Sequence, residues 1–280
     1  MDQIIELFGY QFVRNAFFAS VFASIIAGFI GTYIVSRKIV FISDGITHAS
    51  FGGIGIAYFL GLNPFLGAVV FGISSALGIE WVSSRSSVRE DSAIAILWSL
   101  GMAVGIIFIF LTPGYAPNLM SFLFGSILNV TLFDVAMLAA LAFGVAVIFL
   151  LFYRPILYAA FDPEFATAAR LPVKLIRYFM LSLIALSVVV SIKIAGIILV
   201  MSLFTIPQVI ANMFVRDFRK MIPLSMLFAL LGMMGGLVAS YFADLPSGAT
   251  IIFFMVTLWG SVKLTLMIVE KIKKLAITGK

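Results

Sequence analysis

The chain has 280 residues, 63% of them hydrophobic and 11% charged, with 29 Phe, one His and no Cys; soluble domains carry about a quarter charged residues. A mean hydropathy of +1.20 leaves too little polar surface for a water-soluble enzyme, a disordered tail or a secreted disulfide scaffold, and predicts a multi-pass membrane protein. The net charge of +6 reads as basic loops held on the cytoplasmic side and not as a nucleic-acid surface, and the lack of Cys removes iron–sulfur clusters and thiolate zinc sites.

A bilayer core requires about 20 mostly apolar residues per helix. The first apolar run follows a polar start (Asp2, Gln3, Glu6, Arg14) and is long enough to span, so it reads as a retained helix. In chain order the runs are 14–35, 46–60, 64–82, 92–111, 134–152, 175–192, 194–215, 222–242 and 248–269. An extra stretch at 119–130 is about half a span and reads as re-entrant or surface-lying. The expectation is an all-α polytopic bundle of nine helices, with residues 1–280 forming a single transmembrane domain.

Nine helices sort the 18 Lys and Arg unequally: 15 on one side, from Arg37 and Lys38 to the tail lysines, against Arg14 and Lys193 on the other, with Lys263 inside the last span. The basic side is assigned to the cytoplasm, which puts the C-terminus inside and the N-terminus outside. Acids mark the outer loops: Asp2, Glu6, Asp134 and Asp244.

The loop at 153–174 differs from the others. Asp162 is a helix N-cap, Pro163 suits the first helical position, Glu164 complements the helix dipole, and Pro172 closes the segment. The prediction is a two-turn helix near 161–171 outside the membrane. Phe161 and Phe165 have no core of their own there, so the helix either rests on the membrane surface or docks a cytoplasmic partner.

Charged groups inside a membrane are costly and mark function by default. Asp44 and His48, four residues apart, share one helical face. A hard oxygen beside a borderline nitrogen suits zinc, manganese or iron better than calcium or magnesium; the same pair also fits an imidazole satisfied by a helix-capping aspartate. Two ligands are too few for a closed site. A homodimer would supply the pair twice, and otherwise water or backbone carbonyls must complete the shell. The small residues that follow, including Gly52, Gly53 and Gly55, permit close helix packing, and Gly52 and Gly53 are also candidates to line a path. Pro207 is expected to kink its helix and free a carbonyl, as a bend or a gate. Lys193 and Lys263 snorkel and carry no assigned role. The chain contains no GxxxxGK[ST] loop, HExxH or GxSxG motif, so phosphate-loop ATP hydrolysis, the common metalloprotease arrangement and a nucleophile elbow are not expected of it.

The stretch 35–64, VSRKIVFISDGITHASFGGIGIAYFLGLNP, resembles the membrane subunits of bacterial ABC importers for zinc, manganese and iron. The resemblance continues through Arg89–Ile94, Leu123–Leu128, Phe161–Phe165 with Leu171-Pro172, and Ala243–Ala249, covering nearly the whole chain in order. Thr47 stands where Ser is usual, and Phe51-Gly52 replaces a more frequent Leu-Pro. The resemblance implies a type II ABC importer-like permease in the bacterial inner membrane, paired as a homodimer. Two cytoplasmic ATP-binding subunits would dock on it, and an extracytoplasmic metal-binding protein would deliver the cargo. It also implies that Phe161, Asp162, Pro163, Glu164 and Phe165 belong to a coupling helix, and that Asp44 and His48 are metal ligands. The expected mechanism is alternating access, with acid weakening metal binding because the imidazole must be neutral. The expected cargo is a divalent ion, zinc, manganese or iron, with zinc and manganese favoured and a slight lean to zinc. The rival readings are a permease for metal chelates such as cobalamin or siderophores, an ATP-independent carrier and an intramembrane enzyme.

Overall fold

The computed structural model describes residues 9–85, 88–113 and 127–278, and among these it is helical with no strand. The expected all-α polytopic bundle is therefore the observed fold. The 119–130 segment falls mostly outside the described residues; its end, Ile127–Asn129, is a single 3-10 turn.

Eleven helices follow in order. They are α1 (Gln11–Ser36), α2 (Val40–Phe59), α3 (Pro64–Arg85), α4 (Glu90–Leu111), α5 (Leu132–Leu151), α6 (Tyr153–Phe161), α7 (Pro163–Ala168), α8 (Val173–Leu203), α9 (Ile206–Phe214), α10 (Phe218–Ala243) and α11 (Ser247–Thr278). Among the described residues eight segments are long and apolar enough to cross a membrane, counting α8–α9 as Val173–Lys193 and Ala195–Phe214. The ninth expected span, α2, falls outside that set because Ser43, Asp44, Thr47, His48 and Ser50 lower its hydropathy. Such a helix must be shielded by protein, and fourteen of its 20 residues are buried. It runs antiparallel to α3 and parallel to α4, with Gly53 against Gly67 and Gly45, Gly52 and Gly55 against Ile94, Gly101 and Gly105. Two full-length membrane helices therefore hold α2 at membrane depth.

The α2–α3 turn is closed by Gly61, at φ 68°, and by Asn63, whose Oδ1 accepts the Phe65 amide at 2.9 Å ahead of Pro64 at the first helical position. α1 and the first half of α8 are the most buried long helices, and α11 is the least. α1 contains a π-turn at Ala27–Gly31, where Gln208 Nε2 donates to the Ala27 carbonyl at 2.7 Å. α8 breaks at Gly196 (φ 78°, ψ 164°). Before the break, Lys193 pairs with Asp134 at one end of the bundle; after it, Phe204 and Gln208 lie against Gly31, toward the other end of α1. The chain thus turns back between the two runs read from the sequence.

The bend expected at Pro207 is present as a break within the Ala195–Phe214 span. The chain leaves helical geometry at Thr205 (φ −126°), and Pro207 sits in the first turn of α9, where an absent N–H costs nothing.

Three of the basic residues sorted to one side, Arg37, Arg177 and Arg219, lie at one end of the bundle. Arg37 Nη1 donates to the Ala160 carbonyl at 2.6 Å, Arg177 reaches Glu80 at 3.0 Å, and the Arg219 guanidinium stacks 4.6 Å from the Tyr153 ring centroid. At the opposite end Asn15 Nδ2 donates to the Val130 carbonyl at 2.9 Å.

Candidate metal path and docking helix

Asp44 and His48 come together on α2: Nε2 of His48 lies 3.4 Å from Oδ1 of Asp44. The Asp44 residue is 8% exposed, and the His48 side chain keeps 20% exposure, so the pair opens through the imidazole. Phe41, His48, Ile56 and Phe59 are the less buried positions along one stripe of α2. The imidazole therefore reaches the bundle surface along this stripe, with the carboxylate buried beside it. Around it, Ser43 and Thr47 direct their hydroxyls to backbone carbonyls of their own helix, at 2.7 and 2.6 Å. Among the described residues no cluster of three or more His, Cys, Asp or Glu occurs, so one chain offers a two-donor half-site.

A residue the sequence did not single out completes the setting. Trp98 of α4 stacks on His48 with ring centroids 4.5 Å apart and planes inclined by 12°. The second ring nitrogen, Nδ1, is buried with no hydrogen-bond partner among the described residues. The imidazole plane is thus fixed by stacking and by Asp44, where metal-binding histidines more often use a second hydrogen bond. The spacing from Gly45, which meets Ile94, to His48, which meets Trp98, is the signal that a parallel α2–α4 pairing would have given.

Gly52 and Gly53 face neighbouring helices. A Cβ on Gly52 would lie 2.9 Å from the Gly101 carbonyl oxygen, and one on Gly53 would collide with the Gly67 carbonyl. Close helix approach accounts for both glycines, and the geometry gives the path reading no separate support.

The short helix α7 forms where the sequence placed it. Asp162 Oδ1 accepts the Phe165 amide at 2.9 Å, Pro163 opens the helix, and Glu164 sits in its first turn. Its far end closes on Arg170 in the left-handed region (φ 57°), with Leu171 N–H donating to the Ala166 carbonyl at 2.9 Å and Arg170 N–H to the Thr167 carbonyl at 3.0 Å. Caps at both ends explain how six residues hold a helix too short to persist alone. Ala166 is fully buried beneath it, while Phe161 and Phe165 are each half exposed. Phe165 packs edge-on against Tyr158 at 5.0 Å, and Phe161 against Phe218 at 6.0 Å.

Among the described residues further ion pairs lie outside the sequence-derived site, at Arg89–Asp91, Arg177–Glu80 and Lys193–Asp134. Lys193 pairs with Asp134 and lies 5.4 and 5.8 Å from the Phe65 and Phe133 ring centroids. Asp134 also caps α5 reciprocally with Thr131. The parity argument put Lys193 and Asp134 on the same side, which was the available clue.

A family model described as the ABC 3 transport family matches residues 9–265. The chain is 39% identical over 252 residues to the membrane protein slr2045 of Synechocystis sp., covering 90% of each. It is 35% identical over 254 residues to the manganese transport system membrane protein MntC of Halalkalibacterium halodurans, covering 91% of this chain and 87% of the relative. Among solved structures it matches a chain of PsaBC from Streptococcus pneumoniae in complex with Fab, with a TM-score of 0.82 and 28% identity over 92% of this chain and 93% of that one.

Proposed function

The chain belongs to the ABC 3 transport family, and from that premise we propose that it is the membrane-spanning permease subunit of an ATP-driven importer of a divalent transition metal ion. The observation that carries the metal assignment is the Asp44–His48 pair. The two donor atoms lie 3.4 Å apart, close enough to share one transition-metal ion at ordinary ligand distances. The imidazole reaches the bundle surface, so a second copy of the chain across a two-fold axis is the simplest completion of the shell. The ion crosses between the copies at the level of α2.

Manganese is the favoured cargo. Oxygen plus imidazole nitrogen accommodates it, and MntC is named for manganese transport; the donor set by itself leaned to zinc. The α7 segment, Phe161–Phe165 with its caps, serves as the coupling helix that receives the movement of a cytoplasmic ATP-binding subunit. An extracytoplasmic metal-binding protein delivers the ion at the other face, where Asp134 and Lys193 lie. The basic end of the bundle is then cytoplasmic, with the N-terminus outside.

The test is uptake of manganese and zinc, singly and in competition, by cells carrying Asp44→Ala or His48→Ala chains that still assemble with their ATPase. Both variants are expected to lose uptake. Wild-type uptake in both removes the site assignment, and preferential zinc uptake by the unaltered chain reverses the choice of cargo.

A further inference from the structure

At the basic end of the bundle a cleft of about 690 Å3 opens between the end of α5 and the start of α10. Both elements pack on the π-turn of α1, whose Phe29 forms the floor together with Phe149. The two walls carry the same polarity gradient from opposite chain directions. One wall runs Leu150, Leu151, Tyr153, Arg154 from apolar to cationic; the other descends from Arg219 through Ile222 and Pro223 to Met226. Leu150 and Leu151 are 75% and 71% exposed, side chains suited to acyl chains and not to water. Arg219 is held over Tyr153, and neither Arg154 nor Arg219 has a carboxylate partner among the described residues.

We propose that this cleft is a binding site for an anionic phospholipid of the inner leaflet, with the phosphodiester between Arg154 and Arg219 and an acyl chain in the Phe29–Met226 slot. The occupant follows from complementarity. An apolar slot alone would take any lipid tail, and two arginines alone would take any anion. The ordered sequence from acyl-compatible wall to interfacial tyrosine to paired cations matches the cross-section of half a bilayer with an acidic headgroup. The volume lies within the range of small-molecule sites.

The test uses the full chain purified from nanodiscs containing equal phosphatidylglycerol and phosphatidylcholine, with retained lipid read by native mass spectrometry. The unaltered chain is expected to retain phosphatidylglycerol over phosphatidylcholine by roughly thirtyfold, the effect of two basic side chains at the headgroup. Arg154→Gln/Arg219→Gln should bring the ratio near one. Arg216→Gln/Lys220→Gln, an equal loss of charge at residues that do not line the cleft, should leave it unchanged. Met226→Trp should displace the lipid with both arginines intact. Equal retention of the two lipids by the unaltered chain overturns the proposal without recourse to any variant. So does an unchanged ratio in the double arginine variant, complete displacement by inorganic phosphate, or crosslinking that shows a second copy of the chain seated in the cleft.

Discussion

Trp98 lies face to face with His48, and this contact between α4 and α2 is what orients the only imidazole in the chain. With Nδ1 unpartnered among the described residues, the ring relies on the indole for its plane. Replacing the partners that orient a metal ligand typically costs 10–100-fold in affinity. Trp98→Ala is therefore expected to weaken manganese binding to the purified chain by about tenfold or more. Trp98→Phe, which retains a stacking face, should recover most of that loss. Trp98 is itself partly exposed, so thermal stability should move little in either variant; a large loss of stability in Trp98→Phe would make the residue structural instead.

The α2–α3–α4 sheath depends on backbone contact, which side chains would prevent. Adding a methyl group at Gly53, against the Gly67 carbonyl, forces two helices apart and is expected to cost about 1–3 kcal/mol. Gly144 on α5 has nothing within 4 Å of a built Cβ, so Gly144→Ala should be neutral or stabilise by about 0.5–1 kcal/mol. Thermal unfolding of the two variants in the same detergent separates these outcomes, and equal midpoints would refute the packing role.

Lys193 and Asp134 form a pair that is half shielded: the aspartate side chain is 7% exposed and the lysine 40%. Lys193→Met leaves a largely buried carboxylate without its cation, at an expected cost of roughly 1–3 kcal/mol, below that of a fully buried pair because the lysine reaches solvent. Asp134→Asn retains an acceptor for the Thr131 cap, so Asp134→Asn/Lys193→Met should be more stable than Lys193→Met alone. A double-mutant cycle in thermal unfolding measures the coupling; additive losses would show that the pair contributes nothing.

The sequence made the long elements legible because lipid leaves little choice: apolar length fixes helices, and the Lys/Arg asymmetry sorts their ends. It also located α7 through Asp162 and Pro163, since caps are local chemistry. Long-range partners were illegible. Nothing local to His48 announces Trp98, 50 positions away, and nothing local to Glu80 announces Arg177, 97 positions away. Pro207 announces a bend because proline removes a backbone donor, but it does not state how sharp the bend is; Thr205, leaving helical geometry two residues earlier, makes it a break. Lys193 reads as a snorkelling lysine because it lies near a span end, and only the fold of α8 against α5 supplies its carboxylate.

The exposed ring of Phe165 and the cap at Asp162 separate two roles of α7, contact and shape. Phe165 contributes half its surface to solvent and rests on Tyr158, so Phe165→Ala should leave the bundle intact while removing the protruding apolar face. Asp162→Ala deletes the acceptor for the Phe165 amide and is expected to cost about 0.5–2 kcal/mol locally, fraying the helix without removing any contact residue. If α7 couples to an ATP-binding subunit, both variants should lose copurification of that subunit, and Asp162→Asn, which preserves the cap, should restore it. Metal binding by the isolated chain should be unchanged in all three, because α7 and the Asp44–His48 pair lie on different elements. Were α7 only a surface helix resting on lipid, Phe165→Ala would reduce membrane-embedded stability and leave subunit copurification at its original level.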